Sequence, residues 1–139
     1  MNYLRIGLAS LAAFAAYMAV GGLVFSLMPS LKQEFSRYPG VYRSHEGQMS
    51  HLPIGIAATL LSIVVLTILY ARGYRGGSPL AEGLSFGVLA GLFVVGSFVF
   101  HNYANLNIGL RLTAMSAVAY FFEWCVVGSV IGLIYRPAS

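Results

Sequence analysis

Glu123 is the residue whose type and position give this chain its clearest opportunity for chemistry. It interrupts AVAYFFEWCVVGSVIG, residues 117–132, which would otherwise pass as a helix embedded in a bilayer. A carboxylate near the bilayer centre costs a few kcal/mol or more unless it is protonated, paired or hydrated, so it should face the interior of a helix bundle. Tyr17 and Tyr120 are the predicted partners. A protonated Glu123 bonded to either tyrosine would be a structural clamp, whereas an ionised one would require a cation, a proton pathway or a partner subunit.

Two polar stretches contain every histidine of the chain, SHEGQMSH at 44–51 and HNYANLN at 101–107. In a four-span topology both stretches lie on the same side of the membrane and would form one polar mouth. Its members would be His45, His51, His101 and Asn102. Two histidines six residues apart fit no standard zinc spacing. Polar residues that end helices at the interface are the simplest interpretation; metal or porphyrin-type ligation, a pH-sensitive gate and a polar ligand mouth are the alternatives.

The elements that must position these residues are membrane spans. The chain is 58% hydrophobic and 9% charged, far from the balance of a soluble domain. Four segments are apolar over the roughly 20 residues that a span requires. They are 4–28, 52–71, 80–104 and 112–135. We expect segment 4–28 to be retained, since no A-x-A cleavage pattern precedes Pro29, and the remainder is too short for a soluble catalytic domain.

The sequence therefore predicts an all-α polytopic membrane protein, a single transmembrane domain over 1–139 with four helices in a compact bundle. Small residues at four-residue spacing, such as Gly83, Gly87 and Gly91, predict that the first, third and fourth spans pack tightest. VGGLVFSLMPSL at 20–31 is echoed by VGSFVFHNYANL at 95–106. The echo favours two tandem helical hairpins, with chance recurrence of apolar words as the alternative.

Orientation should follow the Lys and Arg residues of the loops, but here the two sides carry four each. Those on the side of the termini are Arg5, Arg72, Arg75 and Arg136, and those on the other side are Lys32, Arg37, Arg43 and Arg111. The compact pair in YARGYRGG favours a cell inner membrane protein with both termini in the cytoplasm. A tie also suits a chain that inserts both ways and forms an antiparallel dimer. Membrane lipids and a second copy or another membrane protein are the expected partners, and nucleic acid is not.

The plan of the chain, with HNYANLNIGL closing the third span and GSVIGLIYRP closing the fourth, resembles bacterial families of small polytopic membrane proteins that have no assigned function. The resemblance implies a four-span fold and no mechanism. Small multidrug exporters also have four spans and one membrane carboxylate. Theirs lies in the first helix, so the position of Glu123 argues against membership.

Enzyme chemistry has no support from motifs, because the phosphate-cradling P-loop, the dinucleotide fingerprint and Gly-x-Ser-x-Gly are absent from the sequence. The leading hypothesis is a non-enzymatic integral membrane protein that binds a small or lipophilic ligand or acts as an accessory subunit. The alternative is a small proton-coupled transporter or channel that works as a dimer through Glu123. A membrane-embedded metalloenzyme using the histidines is a third hypothesis, and the identity of any cofactor is left open.

Overall fold

The structure, a computed structural model, describes residues 1–135, and every regular element in that range is a helix. Four helices are long and apolar enough to cross a membrane. Their bounds are Tyr3–Leu27, His45–Gly73, Pro79–Asn105 and Leu110–Ile134. The predicted all-α fold with four spans packed together is confirmed, and the chain is a multi-pass membrane protein. Arg136, which entered the charge comparison above, lies outside the described residues.

The first half of the chain contains two spans and a short helix between them. Helix α1 (Tyr3–Leu27) begins after Asn2, whose side chain accepts a hydrogen bond from the Arg5 amide at 3.2 Å, as N-cap residues do. Helix α2 (Pro29–Ser36) starts with a proline at its first turn, where the missing N–H is not needed. Helix α3 (His45–Gly73) begins after Ser44, whose hydroxyl accepts from the Gly47 amide at 3.2 Å. Helices thus occupy both ends of segment 29–51, which joins the first two predicted spans.

The second half contains an interrupted span and a straight one. Helix α4 (Pro79–Val94) passes into a π-helical segment (Val95–Phe100) and then into the short helix α5 (His101–Asn105), and together they form the third span. Helix α6 (Leu110–Ile134) is the fourth span. Glu82, in the first turn of α4, accepts a hydrogen bond from the Arg75 amide at 2.7 Å. This contact fixes the turn between α3 and α4, as expected for a structural carboxylate.

Helix α6 is the centre of the bundle. It contacts α1, α2, α3, α4 and the π segment, whereas α3 packs mainly on α1. A Cβ added at Gly87 would lie 2.7 Å from the carbonyl oxygen of Trp124, and one added at Gly83 would lie 2.5 Å from that of Gly128. The backbones of α4 and α6 are therefore in direct contact, which only residues without a side chain permit. The expected tight packing of the third and fourth spans is seen here.

We call the two ends of the bundle the loop side, which holds residues 28–44 and 106–109, and the terminal side, which holds Asn2, residues 74–78 and Tyr135. The terminal half contains the main apolar core, built around Ile63, Val127 and Ile131. Helix α3 is 29 residues long, about 44 Å at 1.5 Å per residue. It is longer than the hydrocarbon layer, so its exposed first two turns can lie at the membrane surface on the loop side.

Helix α2 is fastened to the start of α6 by a carboxylate. Glu34 has a side chain only 3% exposed, and its Oε1 lies 3.0 Å from Arg37 and 3.4 Å from Arg111. The neighbouring Tyr38 hydroxyl accepts a hydrogen bond from the Gly109 amide at 2.9 Å. Below these polar contacts, Leu31 of α2 is buried in a second apolar cluster with α6. Helix α2 and the residues that follow it thereby cover the start of α6 on the loop side.

Replacement of Gly87 by alanine should destabilise the bundle, because the new methyl group would push α4 away from α6. We expect a loss of about 1–3 kcal/mol, the usual cost of overpacking a close contact, measured as a lower Tm of the purified protein in detergent. The matched control is Gly55→Ala in α3, where an added Cβ meets no atom within 4 Å. Equal Tm changes in the two variants would contradict the packing described.

Replacement of Glu34 by glutamine should loosen α2 from α6 while leaving the spans assembled. Because both arginine partners are largely exposed, we expect a cost of about 1–2 kcal/mol, between that of a surface pair and that of a fully buried one. Hydrogen exchange of the α2 amides should become faster. Glu46→Gln, which removes an exposed carboxylate in the first turn of α3, is the control. No difference between the two variants would argue against a fastening role for Glu34.

Candidate functional site

A cavity of about 210 Å³ lies between α1, α2 and α6. Helix α1 contributes one wall, α2 the floor on the loop side, and α6 the wall that carries the polar groups. The lining residues are Tyr17, Met18, Gly21, Gly22, Val24, Phe25, Leu31, Phe35, Ser116, Ala119, Tyr120 and Glu123. Three of the residues singled out from the sequence, Tyr17, Tyr120 and Glu123, thus share one cavity.

Glu123 lies in the middle of α6 and is only 5% exposed. The α1 backbone passes close to its carboxyl group: a Cβ added at Gly21 would lie 3.6 Å from Glu123 Oε1. Tyr17, one turn earlier in α1 than Gly21, lines the same cavity as this carboxyl group. The Tyr17 ring packs at 5.6 Å from that of Trp124, so an aromatic contact holds the phenol in place.

The cavity has an acidic group and hydroxyls but no basic side chain among its lining residues. Glu123 can accept hydrogen bonds or balance a cation when ionised and can donate one hydrogen bond when protonated. Tyr17, Tyr120 and Ser116 can each donate and accept. An anionic ligand would find no opposite charge here and would be repelled by an ionised Glu123. The arrangement therefore suits a neutral hydrogen-bonding group or a cation.

One wall of the cavity is continuous with the outer surface of the bundle. Met18, Gly22 and Phe25 line the cavity and are also exposed on the outside of α1. In a membrane that surface is covered by acyl chains. A lipophilic molecule could therefore reach the cavity sideways from the bilayer, without crossing water.

A smaller cavity of about 60 Å³ lies next to the first, nearer the loop side. The π segment and α5 contribute Phe98, Val99 and Asn102 to its lining. The rest comes from α2, α6 and the segments that follow α2 and precede α6. Phe98 packs edge-on against Tyr120, with ring centroids 5.7 Å apart. Asn102, which the sequence placed at a polar mouth, is therefore near the group of Tyr120 and Glu123.

The histidines lie elsewhere. His45 and His51 belong to the exposed first two turns of α3, and His101 is the first residue of α5. The polar partners of His51 Nδ1, at 2.9 Å each, are Gly47 and Ser50 of its own helix. None of the three histidines lines either cavity. Among residues 1–135, no three His, Cys, Asp or Glu side chains come together in a way that could hold a metal ion.

The sequence did not single out Phe35 or Ser116, which line both cavities. Ser116 could have been found from its spacing, because positions four and seven residues before Tyr120 and Glu123 lie on one helix face. Phe35 had no such signal, since its role depends on how α2 folds back on the bundle.

Comparisons with known proteins found no relative whose site could be compared with this one. No protein-family model, no curated protein and no solved structure matches the chain. The candidate site is therefore defined by the two cavities and the residues that line them.

Proposed function

We propose that this protein is a non-enzymatic, membrane-embedded binding protein for a small lipophilic molecule with an amine or other hydrogen-bond-donating head. The single observation that carries the proposal is the cavity between α1, α2 and α6, with apolar walls and Glu123 at its deep end. In this function the apolar part of the ligand lies against Met18, Phe25 and Leu31. Its polar head meets the carboxyl of Glu123 and the hydroxyl of Tyr17.

The size of the cavity supports a ligand with about one ring. A dry cavity of roughly 150 Å³ in a protein interior is large enough to bind benzene, and this one has about 210 Å³. It is smaller than the pockets that enclose drug-sized ligands. A substituted benzene or a short branched chain would fit, and so would one segment of a longer lipid whose remainder stays in the bilayer.

The charge of the lining supports the nature of the head group. A cationic amine would form an ion pair with the buried Glu123, where electrostatic interactions are stronger than at a surface. A phosphate or carboxylate head would find no basic side chain in the lining. Amines and neutral donors are therefore the favoured ligands and anionic lipids are disfavoured.

Para-tert-butylbenzylamine and the corresponding benzyl alcohol test the proposal, because they share a shape and differ in charge. Trp124 is the only tryptophan of the chain, and its ring packs at a tilt against that of Tyr17. Its fluorescence should report binding of the probes to the detergent-purified protein. Glu123→Gln should weaken binding of the amine about tenfold or more, the loss of roughly 1.4 kcal/mol, and should change binding of the alcohol much less.

Gly21→Leu should block both probes, because its side chain would enter the cavity beside Glu123. Gly7→Leu is the control, since Gly7 is in the same helix with no atom within 4 Å of an added Cβ. Binding of both probes that is unchanged in Gly21→Leu would place the ligand elsewhere. If Glu123→Gln lowers Tm strongly and leaves amine binding intact, Glu123 is a structural clamp.

A second candidate function is proton-coupled transport, with Glu123 as the exchanging group and a dimer as the working unit. The observation that favours it is the position of this carboxyl: buried, halfway along a span, with no basic group in the cavity that it lines. Intramembrane carboxylates of this kind often carry protons in transporters.

We place the protein in a cell inner membrane with its termini in the cytoplasm, because Arg72 and Arg75 are exposed together on the terminal side.

The transport hypothesis predicts a proton flux that depends on Glu123. Liposomes containing the wild-type protein and a pH-sensitive dye should dissipate an imposed proton gradient, and Glu123→Gln should abolish this flux without lowering Tm. Glu46→Gln, which changes an exposed carboxylate outside the cavities, should leave the flux unchanged. Wild-type liposomes no leakier than empty ones would exclude a proton channel through Glu123 and leave ligand binding in place.

A further inference from the structure

A row of polar side chains runs along one face of α6 from its start to its middle. Its members are Thr113, Ser116, Tyr120 and Glu123. Their spacings of three, four and three residues keep them on one side of the helix. The row extends over about 15 Å at 1.5 Å per residue. Polar side chains in a span are expensive when they face lipid, so a continuous row indicates a polar environment along this face.

The two cavities lie along that row. The smaller cavity is lined by Thr113, Ser116 and Tyr120, and the larger one by Ser116, Tyr120 and Glu123. Ser116 and Tyr120 thus belong to both, and Phe35 of α2 is the third shared wall. The smaller cavity adds the side chains of Asn102 and Tyr42 as further polar partners. Its volume of about 60 Å³ exceeds the minimum that a water molecule needs beside such partners.

The smaller cavity extends to the segments that connect the spans on the loop side. Ile108, in the short link between α5 and α6, and Tyr42, in the segment between α2 and α3, both line it. The adjoining link is held by the bond from Gly109 to Tyr38, and Arg111 is exposed immediately beyond it. Water and headgroups are therefore close to this end.

The opposite direction is closed. Immediately beyond Glu123 toward the terminal side, α6 presents Trp124, Val127 and Ile131 to the main apolar core, and all three are buried. On its other flank the glycines of α4 press against its backbone. Neither of the two cavities has a lining residue of α6 beyond Glu123. The environment of Glu123 is therefore asymmetric with respect to the membrane.

We propose that water reaches Glu123 from the loop side only, through the smaller cavity and along the polar face of α6, with Phe35 and Tyr120 forming the narrow point. The proposal rests on the proposed function insofar as it gives the ligand site a second, aqueous entrance beside the lateral one from the bilayer. An amphiphile would then enter sideways from lipid, while its counter-ion or proton exchanges through the loop side.

Cysteine accessibility tests this path without any ligand. In a Cys125→Ala background, Thr113→Cys and Ser116→Cys place thiols on the path, and Val118→Cys places one at similar depth on the lipid-facing side, where Val118 is 66% exposed. A charged, membrane-impermeant methanethiosulfonate is added to one side of proteoliposomes at a time. Arg43→Cys, before the start of α3, and Arg72→Cys, in the last turn of α3, are both exposed and report which side the reagent reaches.

The thiolate is the reactive form and requires water, so we expect Ser116→Cys to react about tenfold faster than Val118→Cys, and only from the side at which Arg43→Cys reacts. Thr113→Cys should behave in the same way, and it decides the result if one variant fails to fold. Reaction from the Arg72 side, or rates equal to that of Val118→Cys, would overturn the proposal. If the probes do not bind but the labelling pattern is as expected, the proposed ligand is refuted and the water path is supported.

Discussion

The backbone contact between α4 and α6 is the interaction on which the rest of the structure depends. Hydrocarbon provides no hydrophobic force to bring spans together, so association relies on close van der Waals contact. Gly83 and Gly87 of α4 meet Gly128 and the backbone around Trp124 on α6 with no side chain between them. That contact places α6 at the centre of the bundle. The opposite face of α6 is then free to meet α1 and α2, and the polar residues of that face become the lining of a cavity.

The surrounding hydrocarbon also explains why the two buried carboxyl groups, those of Glu34 and Glu123, have different partners. Glu34 lies at the edge of the membrane, where Arg37 and Arg111 can reach it and still keep their own charges near water. Glu123 lies halfway along α6, beyond the reach of any such partner in the cavity lining, and is surrounded by hydroxyl groups and aromatic rings. One carboxyl is saturated by its neighbours and fastens a helix. The other retains capacity for an additional partner, which is what a binding group requires.

Much of this architecture could be predicted from the sequence, because it depends on local composition. Span length and hydropathy are properties of about 20 consecutive residues. The four-residue spacing of the glycines in α4 indicates which face of that helix packs against its neighbour. Burial of Glu123 follows from the cost of a carboxylate in lipid. The fold of α2 onto the bundle could not be predicted in this way, since it depends on the contact of Glu34 with Arg111, far away in the sequence. The sequence also predicted a site at the three histidines, because they were expected on the same side of the membrane. None of them lines either of the two cavities.

The π segment in the third span shows how context overrides local sequence. VGGLVF at 20–25 is regular α-helix, whereas the similar VGSFVF at 95–100 forms the wider turn. Such turns carry one more residue than an α turn and often occur at functional sites. If the extra residue moved one turn along the span, everything after it would rotate about the helix axis, carrying Asn102 with it. The glycine contacts with α6 come earlier in the span and would stay in place. This span therefore combines an α-helical half, which holds the bundle together through its glycines, with a π-helical half whose wider turns set the position of Asn102 beside the smaller cavity.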